Sequence, residues 1–191
     1  HPAIVGWCPF NETWDYAGRQ RDGSLQELTY EVTKAIDPTR PCLDVSGNYH
    51  AGKSDIYDVH CYDQDPKSFA ARYATLPQSV DDTCGNHRQK YDGERPFFVS
   101  EYGGIRWSND RNGWGYGDAP KTEEEFLERL KGLTDALLDN PYIFGFCYTQ
   151  LTDVEQEQNG LYTYDRTPKF PPEQIAAIFS APAVIEGKNR D

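Results

Sequence analysis

RPFFVSEYGG, residues 95–104, is the stretch whose reading decides the fold. Phe97, Phe98 and Val99 form a short apolar run, entered through Pro96 and left through the turn signal Gly103-Gly104. Such a run fits a strand buried on both faces, the usual state of a parallel sheet. Glu101 stands at its C-terminal end. After an aromatic loop, Thr122 and Glu125 have the spacing of a helix-opening capping box. Phe126, Leu130, Leu133, Leu137 and Leu138 then line one helical face, and Asn140-Pro141 stops it. IFGFCYT at 143–149 reads as the next strand.

The same unit recurs toward the N-terminus. AIVGWCPF at 3–10 predicts a buried strand with Trp7 in the core, followed by a polar loop. Ser24 and Glu27 form a second candidate capping box, and Leu25, Leu28, Val32, Ala35 and Ile36 recur at helical spacing before Asp37-Pro38. CLDVS at 42–46 and IYDVHCY at 56–62 read as strands, residues 66–76 as a helix, and PPEQIAAIF at 171–179 as a last helix. Alternating strands and helices imply an α/β fold of parallel strands joined by right-handed crossovers. The expectation is a single domain over residues 1–191, with no linker. In such folds the chemistry collects at the C-terminal ends of the strands.

A composition of 37% hydrophobic and 14% aromatic residues is that of a chain that folds. Its 191 residues fall short of a closed (β/α)₈ barrel, which takes about 250. A net charge of -12 repels phosphate backbones and anionic lipid, so neither nucleic acid nor membrane is an expected partner. The five cysteines include no C-x-x-C pair. Cys8, Cys42, Cys61 and Cys147 lie in apolar runs and read as buried free thiols, and Cys84 as a loop residue. Reduced cysteines favour a cytoplasmic over a secreted setting.

Glu12 follows the first strand in PFNETWD, much as Glu101 ends its own. Either alone could be a structural ion pair or a helix cap. Parallel strands place both on one rim, where two carboxylates can divide acid and nucleophile or base roles. A gap of about 5–5.5 Å suits a retaining glycosidase and about 6.5–9.5 Å an inverting one. Aromatic residues near strand ends, among them Trp14, Tyr62, Trp107 and Tyr148, suit stacking on sugar faces, although many such rings serve packing. Asn11, Asn48, His60 and Gln150 offer polar contacts. No H-x-x-x-H or G-x-S-x-G motif appears, so neither a zinc site nor a serine nucleophile is expected. Acidic loops at 63–65 and 153–157 lack EF-type calcium spacing.

HPAIVGWCPFNETWD, residues 1–15, resembles the acid/base segment of glycoside hydrolase family 2, the family of β-galactosidases, β-glucuronidases and β-mannosidases. There a His-Pro leads through barrel strand four to Asn-Glu. FFVSEYGG resembles strand seven with its nucleophile, and FGFCYTQLTDVEQEQNGLYTYDRTPK, residues 144–169, resembles strand eight and its loop. The resemblance implies a (β/α)₈ TIM-barrel type of fold, here partial, beginning at strand four and supplying strands four to eight. It implies hydrolysis of β-glycosidic bonds with retention, Glu12 as general acid/base and Glu101 as nucleophile. Asn11 would hold the 2-hydroxyl of a carbohydrate substrate, and Tyr62, with His60 nearby, would adjoin the nucleophile. Tyr148 and Gln150 stand where many relatives carry a Trp under the sugar, a departure that leaves the sugar open. No cofactor is implied for the chemistry, although some relatives use Mg²⁺ or Na⁺. A part-barrel would expose parallel edges that a second copy could cover, giving a homo-oligomer. The alternatives are a carbohydrate-binding or structural fragment without turnover, and an inverting or non-sugar hydrolase using the same carboxylates.

Overall fold

The computed structural model describes residues 1–13, 22–47, 49–80 and 90–188. Strand β1 (Phe10–Asn11) pairs with β2 (Val45–Ser46), and β3 (Tyr57–Cys61), β4 (Phe97–Gly103) and β5 (Ile143–Thr149) form a second sheet in that order. Every pairing is parallel. The helices are α1 (Ser24–Ile36), α2 (Pro66–Arg72), α3 (Glu123–Leu138), α4 (Pro172–Phe179) and α5 (Val184–Lys188). The architecture is therefore mixed α/β with parallel sheets, and the described residues do not close a barrel. No described helix is long and apolar enough to cross a membrane.

The core lies between the three-stranded sheet and α2 and α3. All five residues of β3 are buried, as expected of a strand covered on both faces. Phe126, Leu130, Leu133 and Leu137 of α3 pack onto Phe97, Val99 and Tyr102 of β4 and Phe69 and Tyr73 around α2 within one cluster. Each fully buried side chain of this size contributes about 1.5–3 kcal/mol. Thr122 caps α3 as expected, its hydroxyl accepting from the Glu125 amide at 3.2 Å. The Glu125 carboxylate reaches back to the Lys121 amide at 2.7 Å rather than to that of Thr122.

The N-terminal part departs from expectation. Residues 3–10 yield only the two-residue β1 and a Trp7–Cys42 bridge. Val5 is 80% exposed, and the half-exposed Trp7 donates its indole N–H to Asp37 Oδ2 at 2.9 Å instead of entering the core. Helix α1 forms where predicted, but Leu25, Leu28, Val32 and Ile36 are exposed, because no described element packs on that face. Ser24 is the first helical residue, not the cap. Asp22 accepts from both its amide and its hydroxyl at 3.0 Å. Cys42 and Cys61 are buried free thiols as expected, whereas Cys8 and Cys147 are exposed, because nothing described covers β1 or the outer side of β5. Cys84 lies outside the described residues.

Candidate active site

Sheet β1–β2 and sheet β3–β5 meet through side chains rather than a strand ladder. Buried Asp58, on β3, accepts at Oδ2 from the Ser46 hydroxyl at 3.1 Å and the Gly47 amide at 2.9 Å. The Ser100 hydroxyl of β4 donates to the same oxygen. This join aligns the strand ends that carry Glu12 and Glu101.

Glu12 follows β1 with φ of 49°, a left-handed conformation that costs a non-glycine residue about 1–2 kcal/mol. Its amide is held by the Ser46 carbonyl at 2.8 Å. The carboxylate meets His60 Nδ1 at 2.6 Å, and the same nitrogen lies 3.3 Å from Glu101 Oε2. One oxygen of each glutamate and His60 Nδ1 all fall within 4.8 Å of one another. His60 is nearly fully buried, whereas the two carboxylates keep 35% and 25% of their side-chain surface open to solvent. Solvent therefore reaches both carboxylates. The His60 ring lies over Gly47 so closely that a Cβ there would sit 2.6 Å from Cε1 and Nδ1.

Tyr62, just past β3, donates its hydroxyl to Glu101 Oε2 and stands 3.4 Å from Thr149 Oγ1 at the end of β5. Its ring stacks on Tyr116, with centroids 3.5 Å apart and planes within 3°. Gly104 makes room for this pair, since a Cβ there would collide with the Tyr116 ring. Burial pushes the Glu101 carboxyl above its ordinary value, opposed by the bond from Tyr62 and the His60 charge and reinforced by the charges of Glu12 and Asp58. Burial and the bond to Glu101 likewise raise Tyr62, which stays a donor across the working pH range.

Glu12, Glu101, His60 and Tyr62 are thus brought together, and Asn11 pairs with Ser46 immediately before Glu12. Trp14 and Asn48 lie outside the described residues. Trp107 packs against Phe126 and Phe170, with centroids 5.7 and 5.5 Å away, and lines a separate cavity of about 540 Å³ that neither glutamate lines. Tyr148 packs edge-on to Tyr102 at 5.7 Å, and Gln150 donates to Asn159 Oδ1 at 2.9 Å. Ser46, Ser100 and Thr149 complete the site without having been singled out for it, beside Asp58 and Tyr116, the latter one of the aromatic residues expected near strand ends. The alternation of β3, which puts Asp58 and His60 on one side, was the available signal for Asp58.

Glu12, His60 and Glu101 are also the donors a metal ion would use. Here His60 Nδ1 is at hydrogen-bond distance from Glu12. The acidic loops are engaged within the fold. Asp65 caps α2, Asp63 meets Arg72 at 3.2 Å, and Asp153 pairs with Lys169 at 2.6 Å.

No protein-family model matches the sequence, and no curated protein does. Solved structures do. A β-glucuronidase of Bacteroides uniformis is similar over 76% of this chain, with 22% identity and a TM-score of 0.56. A β-galacturonidase of Eisenbergiella tayi, solved with galacturonate, is similar over 94% with 16% identity and a TM-score of 0.65. A β-D-glucuronidase of Dictyoglomus thermophilum is similar over 96% with 18% identity and a TM-score of 0.63. The chain spans only 18%, 34% and 33% of these three proteins. It shares their fold over that part, and the Eisenbergiella tayi enzyme is one of glycoside hydrolase family 2, the family that the sequence resembles.

Proposed function

We propose that this chain is part of a retaining β-glycosidase of glycoside hydrolase family 2, with its five parallel strands standing as strands four to eight of a (β/α)₈ barrel. The observation that carries the reading is the approach of Glu12 and Glu101 from separate sheets to within 4.8 Å around His60. That spacing favours attack by one carboxylate over a water held between two.

Glu101 attacks the anomeric carbon as Glu12 protonates the departing oxygen. Glu12 then deprotonates the water that releases the sugar from Glu101. Tyr62 holds Oε2 of Glu101 and favours its ionised form, which the attack needs. No cofactor enters these steps. The substrate is a carbohydrate, and the neighbouring enzymes make β-glucuronides and β-galacturonides the first to try, beside β-galactosides.

A second reading, a saccharide-binding fragment without turnover, is favoured by the open apolar face of α1, where Leu25 and Leu28 are 59% and 60% exposed. Aryl β-glycosides of the three sugars, with Glu12→Gln and Glu101→Gln as controls, separate the readings. Release above both variants, with the β-anomer formed first by NMR, supports the glycosidase. Saturable saccharide binding without release supports the fragment.

A further inference from the structure

The loop that follows β4 contributes to two places. Tyr116 stacks on Tyr62 at the candidate active site, whereas Arg106 and Asn109 line the cavity of about 540 Å³ between this loop and the one after β5. A second cavity, of about 470 Å³, shares Asp153, Tyr164 and Asp165 with the first and adds Arg166. The Tyr164 side chain, 70% exposed, thus stands in a wall common to both. Neither Glu12 nor Glu101 lines either cavity.

The chain as a whole carries a net charge of -12, yet these walls reverse the sign, setting Arg106, Lys121, Arg166 and Lys169 against Asp153 and Asp165. Lys169 is engaged within the fold, donating to Asp153 Oδ1 at 2.6 Å and to the Trp107 carbonyl at 3.0 Å. Lys121 and Arg166 have no ion pair among the described residues. Arg106 has five N–H donors and never loses its charge. Its Nη2 donates to the Asp110 carbonyl at 3.0 Å, and its Nε is out of solvent with no acceptor among the described residues. A donor left in that state is costly, and an acidic group seated on the Nε–Nη2 edge removes the cost.

The rest of the lining is suited to sugar. Tyr164 offers an open ring face, Asn109 an exposed amide, and the Thr163 hydroxyl, which accepts from the Thr167 amide at 3.1 Å, keeps its own proton to donate. A phosphate group looks instead for the N–H groups of a helix N-terminus. Helix α3 begins just after this cavity, but Glu123, Glu124 and Glu125 fill its first turn. We propose that the double cavity is a second carbohydrate site that takes an acidic saccharide, with a hexuronate carboxylate on Arg106 and a sugar ring on Tyr164. Asp165 accepts from a ring hydroxyl, and the Lys169–Asp153 pair holds the wall behind it. The site uses neither catalytic glutamate, so it stands or falls apart from the glycosidase reading.

The test is isothermal titration of the 191-residue chain with an α-linked digalacturonate and with its dimethyl ester, which has the same rings and no charge. A β-glycosidase leaves the α linkage intact, so binding is read without turnover. The expected result is saturable binding of the diacid, with the ester bound at least about ten-fold more weakly. Arg106→Gln is expected to weaken the diacid by about ten-fold to a hundred-fold, and Tyr164→Ala to weaken diacid and ester alike. Failure of the unaltered chain to bind the diacid, or equal binding of the ester, overturns the proposal without reference to any variant. Diacid binding that Arg106→Gln leaves unmoved places the ligand elsewhere and overturns it too. Inorganic phosphate that displaces the diacid at equal concentration would mark a site for anions in general and overturn the assignment to a saccharide.

Discussion

The hydroxyl of Tyr62 donates to Oε2 of Glu101, linking the residue just past β3 to the end of β4. This bond lowers a carboxyl that burial raises. Tyr62→Phe removes a hydrogen bond to a charged group, worth about 1.5–3 kcal/mol. The expected outcome is a fall in kcat/KM of about ten-fold to a hundred-fold, with the acid limb displaced to higher pH. Initial rates on an aryl β-glycoside between pH 4 and 8 read both effects. An unshifted limb would show that Tyr62 does not tune the nucleophile.

Replacing Glu12 by Ala removes the general acid/base and slows turnover by about 10²–10⁴-fold. The loss is expected to be smallest for glycosides whose leaving group needs no proton. Azide, which attacks without a general base, is expected to restore the second step and to yield a β-glycosyl azide. A product of α configuration would reverse the roles given to Glu12 and Glu101.

The two apolar helix faces differ in what covers them. Leu133 of α3 is fully buried and Leu28 of α1 is 60% exposed. Leu133→Ala is expected to destabilise the chain by about 2–5 kcal/mol, and Leu28→Ala by no more than about 0.5 kcal/mol. Urea denaturation of the two variants measures the difference. A large loss at Leu28 would mean that the α1 face is covered in solution.

Periodicity made α3 and β4 legible, because each buries its apolar residues against elements present in the chain, and it located β5, of which only Ile143 is fully buried. It also located α1, yet misjudged its burial. A stripe such as Leu25, Leu28 and Val32 shows which face seeks cover, and says nothing of what supplies it. The run at 3–10 failed for the same reason, since an apolar segment becomes a buried strand only between partners, and β1 pairs with β2 alone. In the site, Glu12, Glu101 and Tyr62 could be read from their places at strand ends. Ser46 and Ser100 could not, because their bonds to Asp58 join residues of three different strands. The Trp107 ring shows the limit of composition, since an indole suited to a sugar face here packs on Phe126 and Phe170.

The most direct test of the central claim is covalent trapping of the nucleophile. A 2-deoxy-2-fluoro β-glycoside with an activated leaving group, drawn from the sugars that the chain hydrolyses, slows release of the sugar more than its attachment. Intact-mass and peptide mass spectrometry should then find one glycosyl adduct per chain, on Glu101, and none in Glu101→Gln. Hydrolysis with the adduct on another residue, or undiminished hydrolysis by Glu101→Gln, would contradict the assignment.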